Sequence, residues 1–113
     1  MFAQIVLLAF LANSVAAWNF KIFYDTNFND SRHHLEYFSG WGLNKCIDWS
    51  GTVMNDHVKS FKWNNGGINC EIIMFKNKDC KGTKLGNSGG NWNNESVSAA
   101  GQQMSSARIS CAN

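Results

Sequence analysis

From Asn19 to Tyr24 polar and apolar positions alternate: Phe20, Ile22 and Tyr24 share one side of an extended chain, with Asn19, Lys21 and Phe23 on the other. Asp25-Thr26-Asn27 then turns the chain. Val58 to Trp63 alternates again and is broken by Asn64-Asn65-Gly66-Gly67. Cys70 to Phe75 is a short apolar run that ends in the polar turn Lys76-Asn77-Lys78-Asp79, and Met104 to Cys111 closes the chain with another alternating stretch. Apolar residues seldom recur at the helical spacing of three and four. The pattern predicts short strands punctuated by Gly, Asn and Asp, hence an all-β sandwich or barrel. Proline is absent, which leaves the turns to residues that tolerate positive φ.

The first seventeen residues differ in kind. MFAQIVLLAFLANSVAA has no charged side chain, an apolar stretch from Ile5 to Ala12, and small residues at Val15-Ala16-Ala17. It reads as a secretory signal peptide (1–17), with the domain proper spanning 18–113. The rival reading, a membrane anchor, needs an apolar run of about 20 residues, longer than the one present. With 44% hydrophobic and 16% charged residues and a net charge of +2, the chain is too apolar for disorder and too weakly basic for a polybasic nucleic-acid binder.

Export changes the meaning of Cys46, Cys70, Cys80 and Cys111. An even set in an oxidising compartment predicts two disulfides, and the lack of a C-x-x-C pair speaks against zinc. Four cysteines allow three connectivities, among which spacing does not choose. Asn29-Asp30-Ser31 and Asn94-Glu95-Ser96 are sequons that mark Asn29 and Asn94 as glycosylation candidates.

The chain also repeats itself, once over Trp18 to Trp63 and again over Asn69 to Cys111. Each half opens with an apolar strand ending in an aromatic residue, Tyr24 or Phe75, and closes with a strand containing serine, Ser60 or Ser106. Phe75, four residues, Cys80, one residue and Gly82 form a recognisable series; Tyr24, three residues and Phe28 is its shorter counterpart, with no glycine after it. This repeat resembles the Greek-key motif of the βγ-crystallin superfamily, in which an aromatic pair pins a folded-over hairpin, a glycine permits its backbone and a buried serine bonds to it. Small secreted members that carry disulfides are the most similar in character, among them microbial killer toxins, a bacterial metalloproteinase inhibitor and small secreted fungal proteins. The resemblance implies two Greek keys forming two four-stranded sheets, the third strand of each motif crossing beside the last strand of the other. Cys46 in a third strand and Cys111 just past a last strand then imply the pairs Cys46–Cys111 and Cys70–Cys80.

Many domains of that superfamily hold calcium through two Asn/Asp, two free positions, Ser/Thr and Ser. Asn55-Asp56-His57-Val58-Lys59-Ser60 puts an ammonium in the fifth place, and Gly101-Gln102-Gln103-Met104-Ser105-Ser106 loses the carboxylate. Calcium requires oxygen ligands, so the weak candidates Asn55, Asp56, Ser60 and Ser105 are expected to bind calcium weakly or not at all.

No catalytic constellation stands out. His33 and His34 are adjacent, hence on opposite faces of any strand, and with His57 they read as surface residues. Gly86-Asn87-Ser88-Gly89-Gly90 lacks the Lys and the helix of a phosphate loop and reads as a flexible loop. Trp41, Trp49 and Trp92 lie in Gly/Asn/Ser-rich stretches, where an exposed indole could stack on a sugar or anchor a partner. Lys76, Lys78, Lys81 and Lys84 surround the second hairpin and offer attraction to an anionic wall or membrane. The expectation is a secreted, non-enzymatic binding protein without cofactor, a microbial toxin or effector acting on host or competitor cells. Its partner would be an extracellular protein, a cell wall or a membrane component, not nucleic acid. An inhibitor of an extracellular protease and a calcium-binding structural protein are the alternatives.

Overall fold

The structure, a computed structural model, describes residues 17–30, 35–40, 44–67 and 69–111. Among these residues the strands are β1 (Trp18–Phe23), β2 (Leu35–Gly40), β3 (Asn44–Asp48), β4 (Ser60–Asn64), β5 (Cys70–Asn77), β6 (Lys81–Ser88), β7 (Trp92–Asn94) and β8 (Ser106–Cys111). They form two antiparallel four-stranded sheets, ordered β2-β1-β4-β7 and β3-β8-β5-β6. The alternating stretches become the central strands. Trp18, Phe20 and Ile22 of β1, Phe61 and Trp63 of β4, Ile72 and Met74 of β5, and Ala107 and Ile109 of β8 fill the space between the sheets.

Each half keeps three strands in one sheet and lends its third to the other. β3 of the first half pairs with β8, and β7 of the second half pairs with β4. The exchange agrees with the expected Greek-key topology. Its physical consequence is that neither half has a complete sheet alone, so the core forms only when both are present.

The cysteines are paired differently from the expectation. Cys46 bonds Cys80, and Cys70 bonds Cys111. Sheet parity is the reason. On β3, Ile47 faces the core, so Cys46 points to the outer surface, opposite Arg108. Cys111 follows Ala107 and Ile109 on the inner face of β8 and sits directly across from the buried Cys70. A bond between Cys46 and Cys111 would have to pass through the sheet. Cys70, at the start of β5, lies in the core opposite Cys111, whereas Cys80 lies in the turn beyond the far end of β5, folded over the outward face of β3, so the two do not meet.

Trp49 is a second correction. Its polar surroundings in the sequence suggest a surface indole, but it is fully buried between Phe20 and Phe38, at ring separations of 6.0 and 5.8 Å. Its indole N–H donates to the Met104 carbonyl at 3.1 Å. The alternation Ile47-Asp48-Trp49 simply continues inward past the end of β3. Trp92 is half-buried: it meets Phe61 edge-on at 4.8 Å, and Gly86 of β6 leaves room for its ring. It thus fills the gap between the edge strands β6 and β7. Gly86 to Ser88 belong to β6 and are not a loop. Trp41, His33 and His34 lie outside the described residues.

Candidate functional site

Two hairpins fold back over the outer faces of the sheets, one in each half, and the same pair of hydrogen bonds to a serine hydroxyl fastens both. Ser60 Oγ accepts the Phe28 N–H at 3.0 Å and donates to the Asp25 carbonyl at 2.6 Å. Ser106 Oγ accepts the Cys80 N–H at 2.9 Å and donates to the Asn77 carbonyl at 2.6 Å. Both serines are fully buried. The chain passes through the left-handed region at Asn27 and Phe28 (φ 59° and 58°) and again at Asp79 and Cys80 (φ 60° and 56°). Such backbone costs about 1–2 kcal/mol per non-glycine residue, and the serine bonds hold it in place.

These equivalences revise the register of the repeat. Phe23 stands opposite Ser60, as Phe75 stands opposite Ser106. The first aromatic of the first hairpin is therefore Phe23, not Tyr24, and four residues separate Phe23 from Phe28 just as they separate Phe75 from Cys80. The rings of Phe23 and Phe28 meet edge-on at 5.8 Å. Strict alternation assigns Phe23 to the polar side of β1, whereas both faces are buried at that end. Gly82 (φ 85°) lies against the Asn77 side chain, with no room for a Cβ; the first hairpin has Asp30 at that place.

In the second hairpin the disulfide takes the role of the ring pair. The hairpin lies over the outward face of β3, where Cys46 reaches Cys80 and Asp48 accepts the Asp79 N–H at 2.7 Å. Asp48 also accepts the Ser50 N–H at 2.8 Å and the Ser50 hydroxyl at 2.6 Å. Burial pushes the Asp48 carboxyl upward, but the Ser50 hydroxyl, the two N–H donors and nearby Lys78 outweigh it and hold the group below its ordinary 3.8. A carboxyl lowered in the folded state adds stability above its unfolded value, and that stability is lost as pH falls through the lowered one. Asp48→Asn is accordingly expected to flatten the pH dependence of thermal unfolding below about pH 4, a difference read from melting curves at stepwise lower pH. Ser106→Ala leaves two backbone groups without partners and is expected to cost about 2–3 kcal/mol, or on the order of 10–20 °C in Tm. A change below about 2 °C would contradict the role given to the hydroxyl.

Where the second hairpin meets the first half there is an open cleft of about 860 Å³. The hairpin supplies Lys76, Lys78, Asp79 and Lys81; the loop after β3 supplies Ser50, Asn55 and Asp56; the approach to β8 supplies Gln103 and Ser105. Ser105 Oγ donates to Asn55 Oδ1 at 2.6 Å, joining the two halves across the cleft floor. Three of the four hairpin lysines thus converge. Lys84 lines a separate depression with Glu71 and Leu85.

The calcium candidates regroup accordingly. Asn55, Asp56 and Ser105 share this cleft although they come from different hexapeptides. Ser60 does not join them, because its hydroxyl fastens the first hairpin. Lys59 lies elsewhere: its carbonyl accepts the Val97 N–H at 2.9 Å, and the Val97 carbonyl accepts the Gln102 amide at 3.0 Å. The Lys59 ammonium is 5.9 Å from the Tyr24 ring, on which the exposed His57 stacks at 4.8 Å. The sequon residue Asn29 is exposed; Asn94 is half-buried and accepts the Ser96 N–H at 3.0 Å.

No family model matches the chain, and no curated protein matches it. Solved structures do resemble it. The N-terminal domain of protein S is 16% identical with a TM-score of 0.53, covering 82% of this chain and 96% of that one. A βγ-crystallin domain from Flavobacterium johnsoniae is 15% identical with a TM-score of 0.52, covering 81% and 93%. A double mutant of a βγ-crystallin domain from Clostridium beijerinckii is 18% identical with a TM-score of 0.54, covering 81% and 96%. With the exchanged third strands and the serine-fastened hairpins in both halves, the chain is a disulfide-stabilised protein of βγ-crystallin-like fold.

Proposed function

We propose that the protein is exported and works by contact: a non-catalytic toxin or effector that engages an anionic component on the surface of another cell. The uncharged, apolar composition of 1–17, which reads as a leader, and the two disulfides support the compartment. The observation that carries the contact reading is the second hairpin. Its lysines project from backbone fastened by a disulfide, by Ser106 and by Asp48. Cations carried on fastened backbone lose less freedom on binding than cations on a mobile loop, so preorganisation favours recognition over loose attraction. Labelled protein added to microbial or plant cells is expected to decorate them and to provoke a growth or death response. The variant Lys76→Glu/Lys78→Glu/Lys81→Glu is expected to lose both. Decoration without dependence on these lysines, or neither binding nor response, overturns the reading.

The gathering of Asn55, Asp56 and Ser105 gives the calcium alternative one oxygen-rich corner. Lys76, Lys78 and Lys81 line the same cleft and oppose a divalent cation. Exchanging chelator for about 1 mM calcium is expected to raise Tm by less than about 3 °C, as mass action gives for millimolar affinity. A rise of about 10 °C would reinstate a calcium-stabilised protein.

A further inference from the structure

We propose that the cleft between the two halves is a binding site for an acidic saccharide, a sugar chain bearing carboxylate or phosphate groups among its hydroxyls. The inference rests on the contact reading and names the ligand chemistry of the same surface. Every described residue that lines the cleft is polar or charged. Its volume of about 860 Å³ falls within the roughly 300–1,000 Å³ of small-ligand sites. Such sites are mostly lined by apolar residues, whereas the described residues here offer apolar contact only through the carbon stems of polar side chains, which a sugar ring can use and a lipid tail or a hydrophobic peptide anchor cannot.

The charges are mixed in an informative way. Lys76, Lys78 and Lys81 make one wall cationic, which calls for an anionic group on the ligand. Asp56 and Asp79 open onto the same space. A uniform polyanion or an anionic membrane would be repelled by those two carboxylates. A sugar uses them, because hydroxyl groups donate to carboxylates while ring substituents accept from ammonium and amide groups. The floor adds amide donors. Asn55 Oδ1 is occupied by Ser105, which leaves the Asn55 NH₂ to donate, and Gln103 is exposed at the rim. Asp79, on the hairpin side, is held through its N–H by Asp48, and its neighbour Cys80 by Cys46 and Ser106, so the backbone that carries the cationic wall is set before a ligand arrives.

The test titrates the full disulfide-bonded protein at about 150 mM salt, where long-range attraction is screened beyond about 8 Å. The probes are an oligogalacturonate, a phosphorylated mannose oligosaccharide, a neutral galacto-oligosaccharide, inorganic polyphosphate and vesicles of anionic phospholipid. At least one acidic oligosaccharide is expected to bind ten-fold or more tightly than the neutral one, and comparison of the two acids identifies carboxylate or phosphate as the anionic group. Lys78→Ala/Lys81→Ala is expected to weaken that binding at least ten-fold, while Lys84→Ala, outside the cleft, changes it less than two-fold. Gln103→Ala and Asp56→Asn are expected to weaken saccharide binding three-fold or more and to leave polyphosphate binding undiminished. All these side chains are exposed, and unchanged melting curves establish that each variant folds. If Lys84→Ala costs as much as the cleft pair, or polyphosphate or vesicles bind as well as the saccharides, the cleft proposal fails while the contact reading stands. If no anionic probe binds, both fail.

Discussion

Replacing Cys46 and Cys80 together by alanine is expected to destabilise the protein by about 4 kcal/mol, the closure entropy of a loop of this length, since 34 positions separate the two residues. For a domain whose whole stability is of order 5–15 kcal/mol, that loss lowers Tm by tens of degrees. The effect has a local signature that sets it apart from the other bridge. Cys46–Cys80 ties the hairpin to β3 of the opposite half, whereas Cys70–Cys111 joins the adjacent strands β5 and β8 inside the core. Loss of the first bridge is expected to speed amide exchange at Lys78 to Cys80 before the rest of the molecule and to weaken binding at the cleft. Loss of Cys70–Cys111, 41 positions apart, is expected to cost a similar amount by the same entropic argument without loosening the hairpin selectively. Urea unfolding and hydrogen exchange on the two double variants separate these outcomes. A cost below about 1 kcal/mol for the first would mean that Ser106 and Asp48 suffice to hold the hairpin.

Trp49→Ala is expected to cost about 3–5 kcal/mol through cavity formation alone, and more because the buried Met104 carbonyl loses its indole donor. The side chain stands between Phe20 and Phe38 of the first sheet, while its N–H reaches the segment leading into β8. Its backbone N–H also donates to the Ser105 carbonyl at 3.0 Å. It therefore joins the two halves next to the floor of the cleft, where Ser105 meets Asn55. Trp49→Phe keeps most of the volume and removes only the hydrogen bond, so its expected cost is about 1–2 kcal/mol. Equilibrium unfolding of the two variants measures the difference directly. A near-neutral alanine variant would place Trp49 at the surface.

The strands legible in the amino-acid pattern are those whose two faces differ. Phe20 and Ile22, Phe61 and Trp63, and Ala107 and Ile109 lie inside, and the residues between them are more polar or more exposed in most cases, so alternation is visible. The edge strands are not legible in this way. β3 has one buried residue, Ile47, and β6 has none. An edge strand is defined by the partner it pairs with, and for β3 that partner lies far away in the chain. Trp49 is hidden for a related reason: its neighbours Asp48, Ser50 and Gly51 are loop-like in composition, and only the parity carried over from Ile47 distinguishes it. The period of two favours Tyr24 over Phe23 because it cannot describe a strand end that is covered on both faces.

The site divides along the same line. The lysine cluster is visible because Lys76, Lys78, Lys81 and Lys84 are close in sequence, yet sequence proximity does not say that three of them line the cleft and Lys84 another surface. Asn55 and Ser105 look like halves of two failing motifs as long as each is read within its own repeat. The amino-acid sequence by itself determined the all-β character and the presence of two disulfides, since these follow from local period and from an even count of cysteines; the serine-fastened hairpins were legible only through the resemblance of the repeat to the Greek-key motif, the first of them one residue out of register. Tertiary structure alone decided which sulfurs meet, that Trp49 joins Trp18 and Trp63 in the core, and which residues share the cleft. Cys46 and Trp49 depend on the face of the borrowed strand β3, Cys70 and Cys111 on the register between β5 and β8, and the cleft on where the second hairpin folds against the first half; all of these are set by pairing distant in the chain.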